Sequence, residues 1–268
     1  MKALRYILYG LVIAGAAGLL IYQGLIQKNL DSGDLTKGIL IIAAAIVAMI
    51  RPRQRKQVGV NKSLYQKAYP QYIGNAFSQD KKLENTFYTA VALYNQDKPN
   101  AAVAKLEKLR GQCSQSDDYY ALIVFSALCY DDMRLYDKAI EQYEKAIQMR
   151  QDSTLASNLG LCYDRKGKTD QAIDAYLQAI QWDSSNFTPY NNMAQLCIRI
   201  GDYNHGLQYA SQAVALNQKM PQALNAMTIC HYMLGNQAEY ERYYRQAVSC
   251  GSDPEKLKKY LKSLDPSL

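Results

Sequence analysis

Leu159-Gly160-Leu161-Cys162-Tyr163-Asp164-Arg165-Lys166-Gly167 opens a unit that the chain repeats. Gly167, Gly201 and Gly235 stand 34 residues apart. On the same spacing come Leu159, Met193 and Met227, then Tyr163, Cys197 and His231, then Ala179, Ala213 and Ala247. Upstream, Tyr130, Ala139, Tyr143 and Ala146 precede Tyr163, Ala172, Tyr176 and Ala179 by 33. A period of this length in these residue types predicts stacked helix–turn–helix units.

One unit can be read physically. Leu159 and Tyr163 are four residues apart, on one face of a helix. Gly160, Ala194 and Thr228 share an offset and are small enough for a neighbouring helix to approach. The glycines at 167, 201 and 235 then end the first helix, because a left-handed backbone costs glycine little. Ala172, Tyr176 and Ala179 form the packing face of the second helix. Such a pair cannot bury both of its faces, so each unit requires a neighbour.

These residues resemble the tetratricopeptide repeat (TPR) family. The fullest unit runs from Ser153 to Asn186 with Leu159-Gly160, Tyr163, Gly167, Ala172, Tyr176 and Ala179. The next, Phe187 to Met220, has Tyr190, Ala194, Gly201, Tyr203 and Ala213. Gly206 and Tyr240 depart from the family's small alanine, and the customary proline between units is mostly absent. Four units from Tyr120 onward match, and a looser fifth around Glu84 to Leu109 matches through Ala102, Leu106 and Leu109. The fold implied is an all-α solenoid of four to five helix pairs over residues 81–268, closed by a C-terminal capping helix. Helices are expected near 81–95, 99–110, 118–131, 136–150, 154–166, 169–182, 187–200, 203–217, 221–234, 237–250 and 254–264.

Charge is unevenly placed along the 268 residues. The net charge is +7, yet residues 1–69 hold ten Lys and Arg against Asp31 and Asp34, a local +8, which leaves −1 for the rest. The basic balance therefore describes a flank, and nucleic acid is not an expected partner. Tyr6 to Tyr22 is an apolar run that reaches spanning length with its neighbours. Ile39 to Ile50 is a second run, about 16 residues with Leu35 included, where about 17–25 suits a span. Joined by a turn containing Asp31, Gly33 and Asp34, they predict a two-span membrane hairpin over residues 1–50. Lys2 and Arg5 before it and the Arg51–Lys56 run after it place both ends in the cytoplasm. A secretory signal, with Ala14-Gly15-Ala16 as a small-residue site, is the competing reading of the first run.

Residues 51–80 read as a basic juxtamembrane linker, with 51–67 suited to anionic lipid. Tyr65, Tyr69 and Tyr72 follow helical spacing, and the segment either caps the array or rests at the membrane interface. Tyr119 to Tyr130 is apolar all round, which marks a buried helix. Its Val124, Phe125 and Leu128 are expected either to be covered by the preceding repeat or to floor a ligand site. The terminal helix, with Glu255, Lys256, Lys258, Lys259 and Lys262, has the polar outer face of a cap.

Six cysteines form no Cys-x-x-Cys pair and have no histidine cluster, so metal spacing is absent. Cys129, Cys162 and Cys230 recur at one offset, which favours core packing over disulfides. No nucleophile, phosphate-loop or dinucleotide motif occurs, and no catalytic, cofactor or metal residues are expected. The TPR resemblance instead implies a peptide groove along the inner faces of the first helices. Its offsets here carry Asn158, Leu161 and Arg165, then Asn191, Asn192, Gln195 and Arg199, then Asn225, Ile229 and Tyr232. Asn can donate to and accept from an extended backbone, and Arg pairs with carboxylates. The lysines of the basic clamp by which some TPR domains hold a chaperone's C-terminus are missing, which disfavours that partner. Two functions follow as expectations. One is a membrane-anchored scaffold or adaptor binding a protein or peptide on the cytoplasmic side; the other is an exported assembly subunit with its array facing outward. Oligomeric state is left open by the sequence.

Overall fold

The computed structural model describes residues 60–113 and 115–264, and these residues contain thirteen α-helices and no strand. Two short helices come first, α1 (Lys62–Ala68) and α2 (Pro70–Ile73). Five helix pairs follow: α3 (Lys81–Tyr94) with α4 (Pro99–Leu109), α5 (Ser116–Asp132) with α6 (Tyr136–Met149), and α7 (Ser153–Arg165) with α8 (Thr169–Trp182). The last pairs are α9 (Phe187–Ile200) with α10 (Tyr203–Leu216) and α11 (Pro221–Met233) with α12 (Gln237–Ser249), before a single α13 (Pro254–Leu264). The observed ends lie within about two residues of the expected ones, because cap residues fix them. Asp152 starts α7 by accepting from the Leu155 N–H at 2.9 Å, and Asn186 starts α9 by accepting from Thr188 at 3.0 Å.

All five pairs turn in the same way. A residue one to three positions past the end of each first helix has a left-handed backbone: Asp97 (φ 55°), Arg134 (57°), Gly167 (72°), Gly201 (82°) and Gly235 (75°). The next N–H then reaches back five residues to a carbonyl: Lys98 to Leu93, Leu135 to Tyr130, Lys168 to Tyr163, Asp202 to Cys197 and Asn236 to His231, at 2.8–3.0 Å. This closes the carbonyls that a helix end leaves open. Only three of the five turns carry the glycine that announces them.

The seam between helices is built from small residues. Ala146, Ala179, Ala213 and Ala247 are fully buried, as are Ala102, Ala139 and Ala172. Gly160 is required by close approach, since a β-carbon there would lie 2.6 Å from the Tyr176 ring. At Gly206 it would lie 3.0 Å from the Cys230 Sγ, so the departure from alanine makes room for that thiol. Cys129, Cys162, Cys197 and Cys230 are buried, Cys113 and Cys250 are half-buried, and all six are free thiols. In the loose first pair, Ala102, Leu106 and Leu109 are buried as the pattern requires.

Residues 60–80 cap the front of the array. Tyr65, Tyr72, Ile73, Ala76 and Phe77 are buried. The Asp118 carboxylate accepts from the Phe77 N–H at 2.6 Å, and Lys62 pairs with Glu84 at 2.5 Å. Val124 and Phe125 of α5 are completely covered and Leu128 is half-buried. The cover on Phe125 comes from Phe87 and Tyr94 of the preceding pair and from Tyr69, whose ring meets it edge-on at 5.3 Å. The hairpin expected over 1–50 and the basic run at 51–56 lie outside the described residues. Among the described residues, no helix is long and apolar enough to cross a membrane.

Candidate functional site

A cavity of about 370 Å³ opens on the first-helix face, lined by Asp164, Gln195, Ile198, Arg199, Gln222, Asn225, Ala226, Ile229 and Tyr260. Its walls therefore come from α7, α9 and α11, first helices of successive pairs, and from α13. The 34-residue period puts these side chains together, since equal offsets on stacked first helices fall side by side. Ile198, Ala226 and Ile229 form an apolar floor that is continuous with a buried cluster containing Ala194, Cys230, Leu257 and Leu261.

Of the residues expected in the groove, Gln195, Arg199, Asn225 and Ile229 line this cavity and Asn158, Leu161, Arg165, Asn191, Asn192 and Tyr232 do not. Asn191 is buried and donates weakly to Asn192 at 3.5 Å, while Asn192 donates to the Ser157 hydroxyl at 3.2 Å. Asn158 stands beside the buried Tyr143 hydroxyl, which burial pushes far above its ordinary pKa. Tyr232 packs edge-on against Tyr240 at 5.3 Å. The Oδ1 atoms of Asn191 and Asn225, at one offset on adjacent first helices, are both buried without a hydrogen-bond partner. A buried amide oxygen left open is costly, and of these two residues only Asn225 lines the cavity.

Both arginines are engaged within the chain. Arg199 holds both oxygens of Asp164, with Nη1 2.8 Å from Oδ2. Arg165 donates to the Tyr136 hydroxyl at 3.1 Å and lies over that ring. The Tyr136 hydrogen bond holds its pKa above the ordinary value. Nearby, burial raises the Asp131 carboxyl despite the adjacent Arg165. Among the described residues no group of three or more His, Cys, Asp or Glu is placed to hold a metal.

Asp164, Gln222 and Tyr260 were not singled out from sequence. Asp164 is a usable signal in hindsight, because it precedes Arg199 by 35 residues and so meets it across one repeat. Tyr260 carries no such signal, since the approach of α13 to this face is decided by packing.

Known proteins share this architecture. A tetratricopeptide repeat profile matches residues 121–153, and a second TPR repeat profile matches residues 160–201. The photosystem I assembly protein Ycf3 of Synechococcus elongatus is 41% identical over 64 residues, covering 21% of this chain. The chain spans 37% of the length of that relative. Among solved structures, MamA superimposes with a TM-score of 0.54 at 16% identity, over 64% of this chain and 97% of its own. YrrB, described as a TPR protein with an unusual peptide-binding site, gives 0.54 at 13% identity over 76% of this chain and 100% of its own. A tetratricopeptide repeat protein from Parabacteroides merdae gives 0.55 at 18%, covering 62% and 66%. The described array is an all-helical solenoid of tetratricopeptide repeats.

Proposed function

We propose that this chain is a scaffold or adaptor that holds a protein or peptide segment along the groove of its first helices. The observation that carries the reading is the cavity on the first-helix face, which Gln195 and Asn225 line from successive repeats. An extended backbone presents N–H groups along its length and so meets acceptors on successive repeats. The assembly role in Ycf3's name and the peptide-binding site in YrrB's description agree with such a use. The arginines orient rather than bind, since Asp164 and Tyr136 hold them. The hydropathy and flanking charge of residues 1–56 support a two-span anchor with the array on the cytoplasmic side.

Crosslinking in membranes followed by capture on the array tests the binding reading. Gln195→Ala with Asn225→Ala should reduce recovery of the crosslinked partner at least tenfold while helicity is preserved. Recovery at the wild-type level by a folded double variant would refute the groove as the site. A reporter fused after Leu268 tests topology separately: cytoplasmic activity supports the anchor, and activity only outside the membrane refutes that orientation.

A further inference from the structure

The C-terminal helix α13 does not behave like the rest of the array. Leu257 and Leu261 are buried in the cluster that contains Ile198, Ala226 and Ile229, and Leu264 packs against it. Those same three first-helix residues floor the cavity, and Tyr260 forms its wall. Thus α13 packs on an apolar strip of the first helices, whose Ile198, Ala226 and Ile229 are buried next to the cavity. Its anchors, Leu257, Leu261 and Leu264, fall at i, i+4 and i+7, with the part-exposed Tyr260 at i+3 on the cavity wall, the spacing by which an amphipathic helix seats in a groove.

Among the described residues, the hydrogen bonds and ion pairs of α13 are local. Asp253 caps it through the Glu255 and Lys256 N–H groups, and its ion pairs are Lys256–Asp253 and Lys258–Glu255. Ser263 bonds the Tyr260 carbonyl. The front segment contrasts with this, since it is tied to the array by Asp118 to Phe77, Lys62 to Glu84 and Tyr69 to Asn95. Leu257, Leu261 and Leu264 seat α13 on the array by apolar contact, while Lys256, Lys258, Lys259 and Lys262 lie on its exposed side.

We infer that α13 is an exchangeable occupant of the groove, and that the strip over Ile198, Ala226 and Ile229 is a docking site for an amphipathic helix of a partner. That helix would present leucines and an aromatic ring at i, i+3, i+4 and i+7, with a polar far side. The inference rests on the reading of the first-helix face as a binding surface. It names a second kind of segment for that face, a helix beside the extended stretch proposed at Gln195 and Asn225.

The test uses a fluorescent synthetic peptide of residues 252–264 and the full-length chain carrying Leu257→Glu and Leu261→Glu. The variant should bind the peptide saturably and at least tenfold more tightly than the wild-type chain, whose own helix competes. Adding Ile229→Gln to the variant should weaken that binding at least fivefold, and a peptide with both leucines replaced by Glu should not bind. Equal or absent binding by the two chains, with cooperative melting of the variant retained, would overturn the inference. Loss of cooperative melting in the variant would also overturn it, by making α13 part of the folding core. A wild-type dimer that becomes monomeric in the variant would assign the site to a second copy instead. The assay needs no partner, so its failure is distinct from failure of partner capture in the Gln195/Asn225 variant.

Discussion

Arg199 on α9 grips both carboxylate oxygens of Asp164 on α7, across one repeat, and the pair forms one end of the cavity. Asp164 has 8% side-chain exposure against 50% for Arg199, so the carboxylate is the partner with little access to water. Removing the arginine leaves that charge without compensation, whereas removing both is milder.

A double-mutant cycle with Arg199→Ala and Asp164→Ala should give a coupling of about 1 kcal/mol by urea denaturation. The coupling should shrink in high salt, because half of the pair faces solvent. Additive single effects would show that the pair only coexists in the groove.

The seam is less forgiving than the turns. Gly160→Ala places a methyl 2.6 Å from the Tyr176 ring and should cost about 1–3 kcal/mol. Ala179→Arg puts an unpaired charge at a fully buried position and should unfold the array. Lys168→Ala, exposed at the neighbouring turn, should change stability by less than about 0.5 kcal/mol. Thermal melts should show Ala179→Arg as the most damaging, Gly160→Ala as intermediate and Lys168→Ala as near neutral.

Thiol chemistry should report the same core. Burial pushes Cys129 and Cys230 up to about 12 and Cys197 up to about 11, from an ordinary value of 9.0. The fold thus favours the protonated thiol. That stabilisation is complete below about pH 9 and is lost as pH rises toward 11–12. In native protein at pH 8, a thiol reagent should modify the half-buried Cys113 and Cys250 first, and the four buried cysteines only on unfolding. Rapid modification of all six in folded protein would contradict the packing described.

His231 gives the last repeat a dependence of opposite sign. Its ring stacks on Tyr243 with centroids 5.3 Å apart, and burial lowers its pKa from the ordinary 6.5. The neutral ring is the folded form, so its contribution is present above about pH 6.5 and is lost as pH falls through the lowered value. Urea midpoints should decline between pH 7 and pH 5, and His231→Phe should flatten that decline. An unchanged slope in the variant would place the acid sensitivity elsewhere.

Much of this was legible in the chain because a solenoid is nearly one-dimensional. Each unit touches mainly its neighbours, so the offsets of Gly167, Gly201 and Gly235 already state which residues stack. Ala146, Ala179, Ala213 and Ala247 were readable as seam for the same reason. Asp97 and Arg134 hid two turns, since their left-handed backbone is carried by non-glycine residues that the hydrogen bonds around them hold in place. The groove was legible as a face but not as a site. Offsets show that Arg165 and Arg199 lie on successive first helices, yet not that Tyr136 and Asp164 already engage them.

Sequence alone determined the repeat length, the helix boundaries and the residues that must be small, because backbone geometry and steric fit act within one period. Tertiary structure decided everything that breaks the period. It seated residues 62–77 against the front of the array, set Tyr69 on Phe125, and brought Tyr260 beside residues of α7, α9 and α11. These segments have no counterpart one repeat away, so no internal alignment constrains them. Their positions follow from which apolar surface remained uncovered after the regular pairs had packed, and burying that surface is what holds them there.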